Sequence, residues 1–211
     1  MCSERGSVVT AGSPQTRNLR ADGHWTWAVY AAVLVDRLKG CPVTKRALPA
    51  VRLRVPTHED AFAWHEVFAD PDVMEFLGGR PAELSVYMEL TARQRRHDAE
   101  LGHCLWTLLD EEDRVVGFTG AQPWPHEWGP AGETEIGWRL GRGYWGKGYV
   151  TAAALTALDR LRAAGVKDVV AMVDARNERS AAVARRLGME PAETLTAPRS
   201  RRPVRCYRLA L

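Results

Sequence analysis

A glycine-rich segment, residues 141–148, constrains the fold of this chain more than any other feature of its sequence. It joins a strand-like stretch, Thr134 to Leu140, to a stretch with helical periodicity, Val150 to Ala164. Glycine lets the backbone turn tightly and brings its N–H groups close to a ligand. A helix that begins at such a turn adds unpaired N–H donors and partial positive charge. The segment therefore predicts an anion-binding loop suited to a pyrophosphate.

Three interpretations of this loop compete. A glycine-rich surface turn is the least specific of them. Gly141, Gly143 and Gly146 spell the dinucleotide pattern GxGxxG, but antiparallel strands precede them and only about 60 residues follow. A doubly wound sheet needs more βα units than that, and a phosphate loop is excluded because GxxxxGK[ST] does not occur. The third interpretation, a loop for the pyrophosphate of coenzyme A, fits the context best.

The remaining periodicities predict a mixed α+β domain over residues 47–211. Strands are predicted at 51–55, 104–109, 114–120, 134–140, 168–173 and 204–211, and helices at 58–69, 81–100, 150–164 and 177–187. The early strands are antiparallel, and a single β-loop-α-β unit follows them.

Residues 1–46 are predicted to be a disordered or loosely attached extension, because their first half is rich in Ser, Gly, Thr and Arg. The apolar run Trp25 to Val35 has eleven residues, fewer than the roughly 20 of a membrane span. It predicts a short helix or part of the loose extension, although a signal peptide would also place arginines before such a run. We expect no membrane association and a cytoplasmic protein.

Charge and cysteine usage exclude several classes of function. The formal charge is +3, and the excess lies in residues 1–46, so nothing demands a nucleic-acid partner. Cys2, Cys41, Cys104 and Cys206 lack CxxC spacing. Neither a metal site nor a disulfide framework is expected.

Three motifs, taken together, resemble the GNAT family of N-acetyltransferases over about residues 47–211. Trp145-Gly146-Lys147-Gly148-Tyr149-Val150 resembles the coenzyme A pyrophosphate loop of that family, with Trp145 and Val150 as departures. The stretch Glu135 to Leu140 is similar to the fourth strand of the family. Asn177-Glu178-Arg179-Ser180, followed by Arg186-Leu187-Gly188-Met189, is similar to a later helix. The details are most similar to the RimJ/RimL-like branch of ribosomal-protein N-terminal acetyltransferases.

The resemblance implies a GNAT fold with a largely antiparallel sheet that splays between its fourth and fifth strands. It implies acetyl-coenzyme A as co-substrate, a primary amine as acceptor, direct transfer between them, and the homodimer common in this branch. The cofactor-binding residues it implies are Trp138, Arg139, Leu140, Arg142, Gly143, Trp145, Gly146, Lys147, Gly148, Tyr149, Val150, Asn177 and Ser180.

Glu135 is the catalytic residue that the resemblance implies, as a general base acting through a water. It could equally be a strand carboxylate that faces solvent or an arginine, and Glu133, His126 and Glu127 are rivals. Asn177 is also a favoured helix N-cap. Many family members carry a tyrosine general acid seven residues beyond this asparagine, where this chain has Ala184.

The acceptor is left open by the sequence. A protein or peptide N-terminus is favoured by the resemblance, and a small amine is the alternative. Trp124, Trp128 and Trp138 form either a cation-binding wall or core packing. A different class of function, a non-catalytic acyl-coenzyme A sensor or interaction module, is compatible with the missing tyrosine.

Overall fold

A computed structural model describes residues 47–211. The predictions for residues 1–46, which include the apolar run, Cys2 and Cys41, lie outside the described residues. No helix within 47–211 has the length and apolar character needed to cross a membrane.

A seven-stranded sheet forms the centre of the domain, in the order β1-β2-β3-β4-β5-β7-β6. The strands are β1 Arg52–Arg54, β2 Leu105–Leu109, β3 Val115–Pro123, β4 Thr134–Leu140, β5 Asp168–Asp174, β6 Glu190–Thr196 and β7 Pro203–Ala210. All neighbours pair antiparallel except β4 and β5, which are parallel. The predicted mixed architecture and largely antiparallel sheet are confirmed.

Five α-helices flank the sheet: α1 Asp60–Val67, α2 Pro71–Met74, α3 Leu84–Leu101, α4 Tyr149–Ala163 and α5 Glu178–Arg186. Four of them match predicted helices. The short helix α2 was not predicted; Asp70 begins it, since its carboxylate accepts the Asp72 N–H at 2.8 Å, and Pro71 suits the first helical position.

Strand β6 was also not predicted, because the sequence pattern indicates a loop between α5 and the last strand. It is an edge strand that pairs only with β7 and is interrupted by an irregularity between Pro191 and Thr194. Neither face of β6 is buried, so its sequence carries no apolar alternation.

Two apolar cores lie on opposite faces of the sheet. The larger packs α4 and α5 against one face, where Ile136 and Leu140 of β4 point. The smaller packs α1 and α3 against the other, around Phe68, Tyr87 and Phe118. Side chains alternate along a strand, so Glu135 and Arg139 lie on the face that α1 and α3 cover.

Candidate active site

The sheet opens between β4 and β5. The two strands share a single register pair, Glu135 with Val170, while β4 pairs with β3 along its whole length. Beyond Glu135 a side chain links β4 to helix α5, since the Trp138 indole N–H donates to the Ser180 hydroxyl at 3.3 Å. Beyond the Glu135 pair, β4 has no strand partner on its β5 side within residues 47–211, so its backbone groups there can bind a ligand.

The glycine loop begins where β4 ends, so it lies at the wide end of this gap. A short 3-10 turn, Arg142–Tyr144, leads into it. Gly146 and Gly148 have φ of 70° and 96°, left-handed values that favour glycine. The first backbone hydrogen bond of α4 joins Ala152 N–H to Gly148 O at 3.0 Å. The N–H groups of residues 149–151 precede it, have no backbone acceptor within residues 47–211, and can bind an anion.

The glycine loop has open space at two of its glycines. A side chain added at Gly143 or Gly146 would meet nothing within 4 Å among residues 47–211, whereas one added at Gly148 would lie 3.1 Å from Leu48. Val150, where the family pattern has Gly or Ala, packs its side chain against the larger core. These features fit the pyrophosphate of coenzyme A, and the departure at Val150 removes no backbone donor.

Trp145 connects the loop to strand β4 and to helix α5. Its indole N–H donates to the Leu140 carbonyl at 2.8 Å, and the guanidinium groups of Arg142 and Arg179 lie 5.5 and 4.7 Å from its ring centroid. Arg142 also pairs with Asp72 at 2.6 Å. The indole thus fixes the direction in which the loop leaves β4.

Two cations and two tyrosines belong to the same loop. The Lys147 ammonium lies 5.8 Å from the Tyr144 ring, and Tyr149 donates to Glu111 at 2.7 Å. Both cations are exposed, but Arg142 is paired with Asp72, whereas Lys147 has no carboxylate partner among residues 47–211.

Asn177 caps α5 at the far side of the gap. Its side-chain oxygen accepts the Ser180 N–H at 3.0 Å, so the capping role is present. The amide nitrogen of Asn177 has no protein acceptor within residues 47–211 and can still donate to a ligand. Ala184, the position of the family tyrosine, is fully buried in the larger core.

Glu135 lies at the apex of the gap, on its single rung. Burial raises the pKa of the Glu135 carboxyl to about 7, and the neighbouring Gln122 side chain partly opposes that rise. No charged group within the described residues contributes to the shift. A carboxyl group with a pKa near neutrality is suited to general-base catalysis.

A buried row of glutamines supports Glu135, and no motif in the sequence predicted it. Gln122 lies opposite Glu135 across the β3–β4 ladder. The Gln94 amide N–H donates to the Gln122 carbonyl at 2.8 Å, and the Leu105 N–H donates to the Gln94 carbonyl at 2.9 Å. This direction leaves the Gln122 N–H groups for the Glu135 carboxylate. A glutamine at a buried helix position was the one available signal.

The rivals to Glu135 are engaged or remote. Glu133 forms an ion pair with Arg208, and Glu127 and His126 are exposed. The His126 ring meets the Trp124 ring edge-on at 4.8 Å between centroids and stacks with the Trp128 ring at 5.9 Å.

Trp138 does not join that aromatic cluster. Its ring packs against the larger core, on the face of α4 and α5. Of the two alternatives left open for these tryptophans, Trp138 therefore takes core packing, while the Trp124 and Trp128 rings lie together, 5.3 Å between centroids.

The comparisons with known proteins bear on this geometry. Residues 50–190 match the family model described as the acetyltransferase (GNAT) domain. The chain belongs to the GNAT acetyltransferase family. A relative, YkkB of Bacillus subtilis (strain 168), is 29% identical over 157 residues, which cover 72% of this chain and 88% of YkkB.

Solved GNAT structures share the fold. An N-acetyltransferase from Staphylococcus aureus Mu50 aligns with a TM-score of 0.62 and 19% identity, covering 76% of this chain and 98% of that one. The yncA protein of Salmonella typhimurium, solved with its cofactor acetyl-CoA, aligns with a TM-score of 0.61 and 17% identity, covering 77% and 94%. At these identities the likeness concerns the fold alone.

Proposed function

We propose that the protein transfers an acetyl group from acetyl-coenzyme A to a primary amine, with Glu135 as the general base. The observation that carries this proposal is the position of Glu135: a carboxyl group with a pKa of about 7 on the one rung that joins β4 to β5. Beside it begins the open edge of β4, where backbone donors can grip an extended ligand.

The residues have separate tasks. The free N–H groups at the start of α4 and the glycine loop hold the pyrophosphate. The open edge of β4, residues 138–140, holds the pantetheine arm and directs an N–H at the carbonyl oxygen as it gains charge. The amide nitrogen of Asn177 donates to the same arm from the opposite side.

Glu135 takes the proton that the acceptor must lose. An ammonium has no lone pair, so it must be deprotonated before its nitrogen can attack the acetyl carbon. The carboxylate accepts this proton through a water, and the coenzyme A thiolate departs. A thiol has a pKa of about 8.5, so the thiolate leaves without a dedicated acid, which agrees with the buried Ala184.

The acceptor we favour is the α-amine of a peptide or protein, as in the RimJ/RimL-like branch. The motif at Trp145 to Tyr149 supports this assignment. A small amine is the competing acceptor.

The test is release of free thiol from acetyl-coenzyme A across N-terminal peptides, polyamines and aminoglycosides, with a no-acceptor control. We expect Glu135→Gln to lower turnover about 100-fold or more, with acetyl-coenzyme A affinity retained. Glu133→Gln is the matched control, because Glu133 is a neighbouring carboxylate already paired with Arg208. Equal turnover in the two variants would remove Glu135 as base. Cofactor binding without thiol release from any acceptor would favour a sensor instead.

A further inference from the structure

The position of the Arg139 side chain is not explained by the proposed binding of pantetheine to the Arg139 backbone. It lies on the face of β4 that α1 and α3 cover, opposite Phe118 in the ladder. The guanidinium carbon is 5.1 Å from the centroid of the Phe68 ring and 5.3 Å from that of Phe118. The guanidinium therefore lies against two aromatic rings, and the residue as a whole is half-buried.

Arg139 lacks a carboxylate partner within residues 47–211. Its buried Nε has no hydrogen-bond acceptor there, and neither has the buried Tyr87 hydroxyl. Burial lowers the pKa of Arg139, and Tyr87 is the one neighbour that opposes this. The Tyr87 oxygen is thus the one acceptor near this guanidinium among residues 47–211, and no carboxylate balances its charge. A desolvated cation is costly unless it is paired.

The geometry relates this cation to the proposed base. Glu135 and Arg139 share a face of β4, four residues and so about 13 Å apart along the strand. Only Gly137 stands between them on that face, and it has no side chain. An acceptor lying along β4 can present its amine toward Glu135 and an anionic group toward Arg139.

We infer that the acceptor carries an anionic group, a carboxylate or a phosphate, and that the Arg139 guanidinium with the Tyr87 hydroxyl binds it. The inference rests on the proposed acetyl transfer and narrows its substrate class. Arginine suits this task because its planar fork binds both oxygens of such a group.

The first experiment compares acceptors that differ only in charge. The pairs are L-alanine and L-alaninamide, trialanine and its C-terminal amide, and O-phosphoethanolamine and ethanolamine. The two alanine pairs bracket the spacing from amine to anion, and the third pair separates phosphate from carboxylate. We expect at least one anionic member to have a kcat/KM about 10- to 100-fold above its neutral partner. Equal values in all pairs would overturn the inference.

The variant Arg139→Met tests the residue itself, since methionine can fill the space between the two rings. We expect it to abolish the preference for the anionic acceptor while the melting temperature stays unchanged or rises, because an unpaired buried charge is removed. A merely structural stacking role predicts the opposite: a lower melting temperature and an unchanged preference. Arg139→Lys, which keeps the charge without the fork, should restore part of the preference.

Binding provides a readout that does not need turnover. With coenzyme A present, N-acetylated forms of the alanine and trialanine pairs are titrated by calorimetry. Selective binding of an acid form by the wild type but not by Arg139→Met supports the inference even if no acceptor releases thiol, an outcome that would count against acetyl transfer alone. No selectivity in either readout overturns it.

Discussion

The substitution Gln122→Met should move the pH dependence of the reaction without touching the reacting atoms. Methionine has a similar length but lacks the amide N–H groups that face the Glu135 carboxylate. A hydrogen bond to a charged group contributes about 1.5–3 kcal/mol, and 1.36 kcal/mol corresponds to one pH unit. The pKa of Glu135, about 7 in the wild type, should therefore rise to about 8 to 9.

The direction of the effect follows from the role of a base. Glu135 must be ionised to accept a proton, so kcat/KM rises with pH through its pKa. At pH 7 the ionised fraction should fall from about one half to between about 10% and 1%, a loss of about 5- to 50-fold. Near pH 10 most of the loss in kcat/KM should disappear, because Glu135 is then ionised in both proteins.

The assay is thiol release over pH 5.5 to 10 with one acceptor, since the ammonium of an α-amine itself titrates near 8. Glu133→Gln serves as the control for a change of polarity near β4. The rise of kcat/KM with pH should shift to higher pH in Gln122→Met. If it stays at the wild-type pH while Glu135→Gln remains inactive, Gln122 does not set the pKa of Glu135. Loss of activity that high pH does not restore would point to misplacement of the substrate instead.

Three further predictions concern stability and cofactor binding. Because the folded-state pKa of Glu135 is raised from 4.5 to about 7, stability falls as pH rises across that window, and Glu135→Gln should stabilise the fold by about 3 kcal/mol at pH 8 and by little below pH 4.5, measured by urea unfolding. Gly146→Ala and Gly165→Ala both place a side chain at a left-handed φ, 70° and 83°, so each should cost about 1–2 kcal/mol of stability. Only Gly146→Ala should also weaken acetyl-coenzyme A binding in calorimetry, and equal affinities would exclude the loop as the pyrophosphate site. Asn177→Asp keeps an oxygen to cap the Ser180 N–H but lacks the amide donor, so the melting temperature should hold while acetyl-coenzyme A affinity falls about 10-fold; unchanged affinity would leave Asn177 as a cap alone.

Local patterns were sufficient to predict most of the fold. The hairpin, the glycine loop and the helix after it follow from alternation, glycine spacing and 3.6-residue periodicity, and each occurs where the sequence places it. Strand β6 was missed because its pairing with β7 decides it, and a strand exposed on both faces has no apolar alternation to detect.

Part of the candidate site could likewise be predicted from the sequence, and part could not. Glu135 and the loop are adjacent in sequence, and the resemblance of these segments to family motifs was enough to propose both. Gln94 and Gln122 are separated by 28 residues and meet through the packing of α3 on the sheet. The destination of the Arg139 side chain depends on Phe68 and Phe118, which come from a helix boundary and another strand. Long-range contacts of this kind leave no periodicity in one sequence.

The single rung between β4 and β5 also has a mechanical consequence. Within β1 to β4 and within β5 to β7, neighbouring strands pair over several residues, so the sheet consists of two well-paired halves joined at one weak boundary. A ligand whose amides hydrogen-bond to both β4 and β5 replaces the missing strand pairing and holds the two halves of the sheet together. Resistance to unfolding then depends on ligand concentration, and a ligand at 100 times its Kd adds about 2.7 kcal/mol. In a cell, the lifetime of this protein would follow the supply of the molecule it consumes.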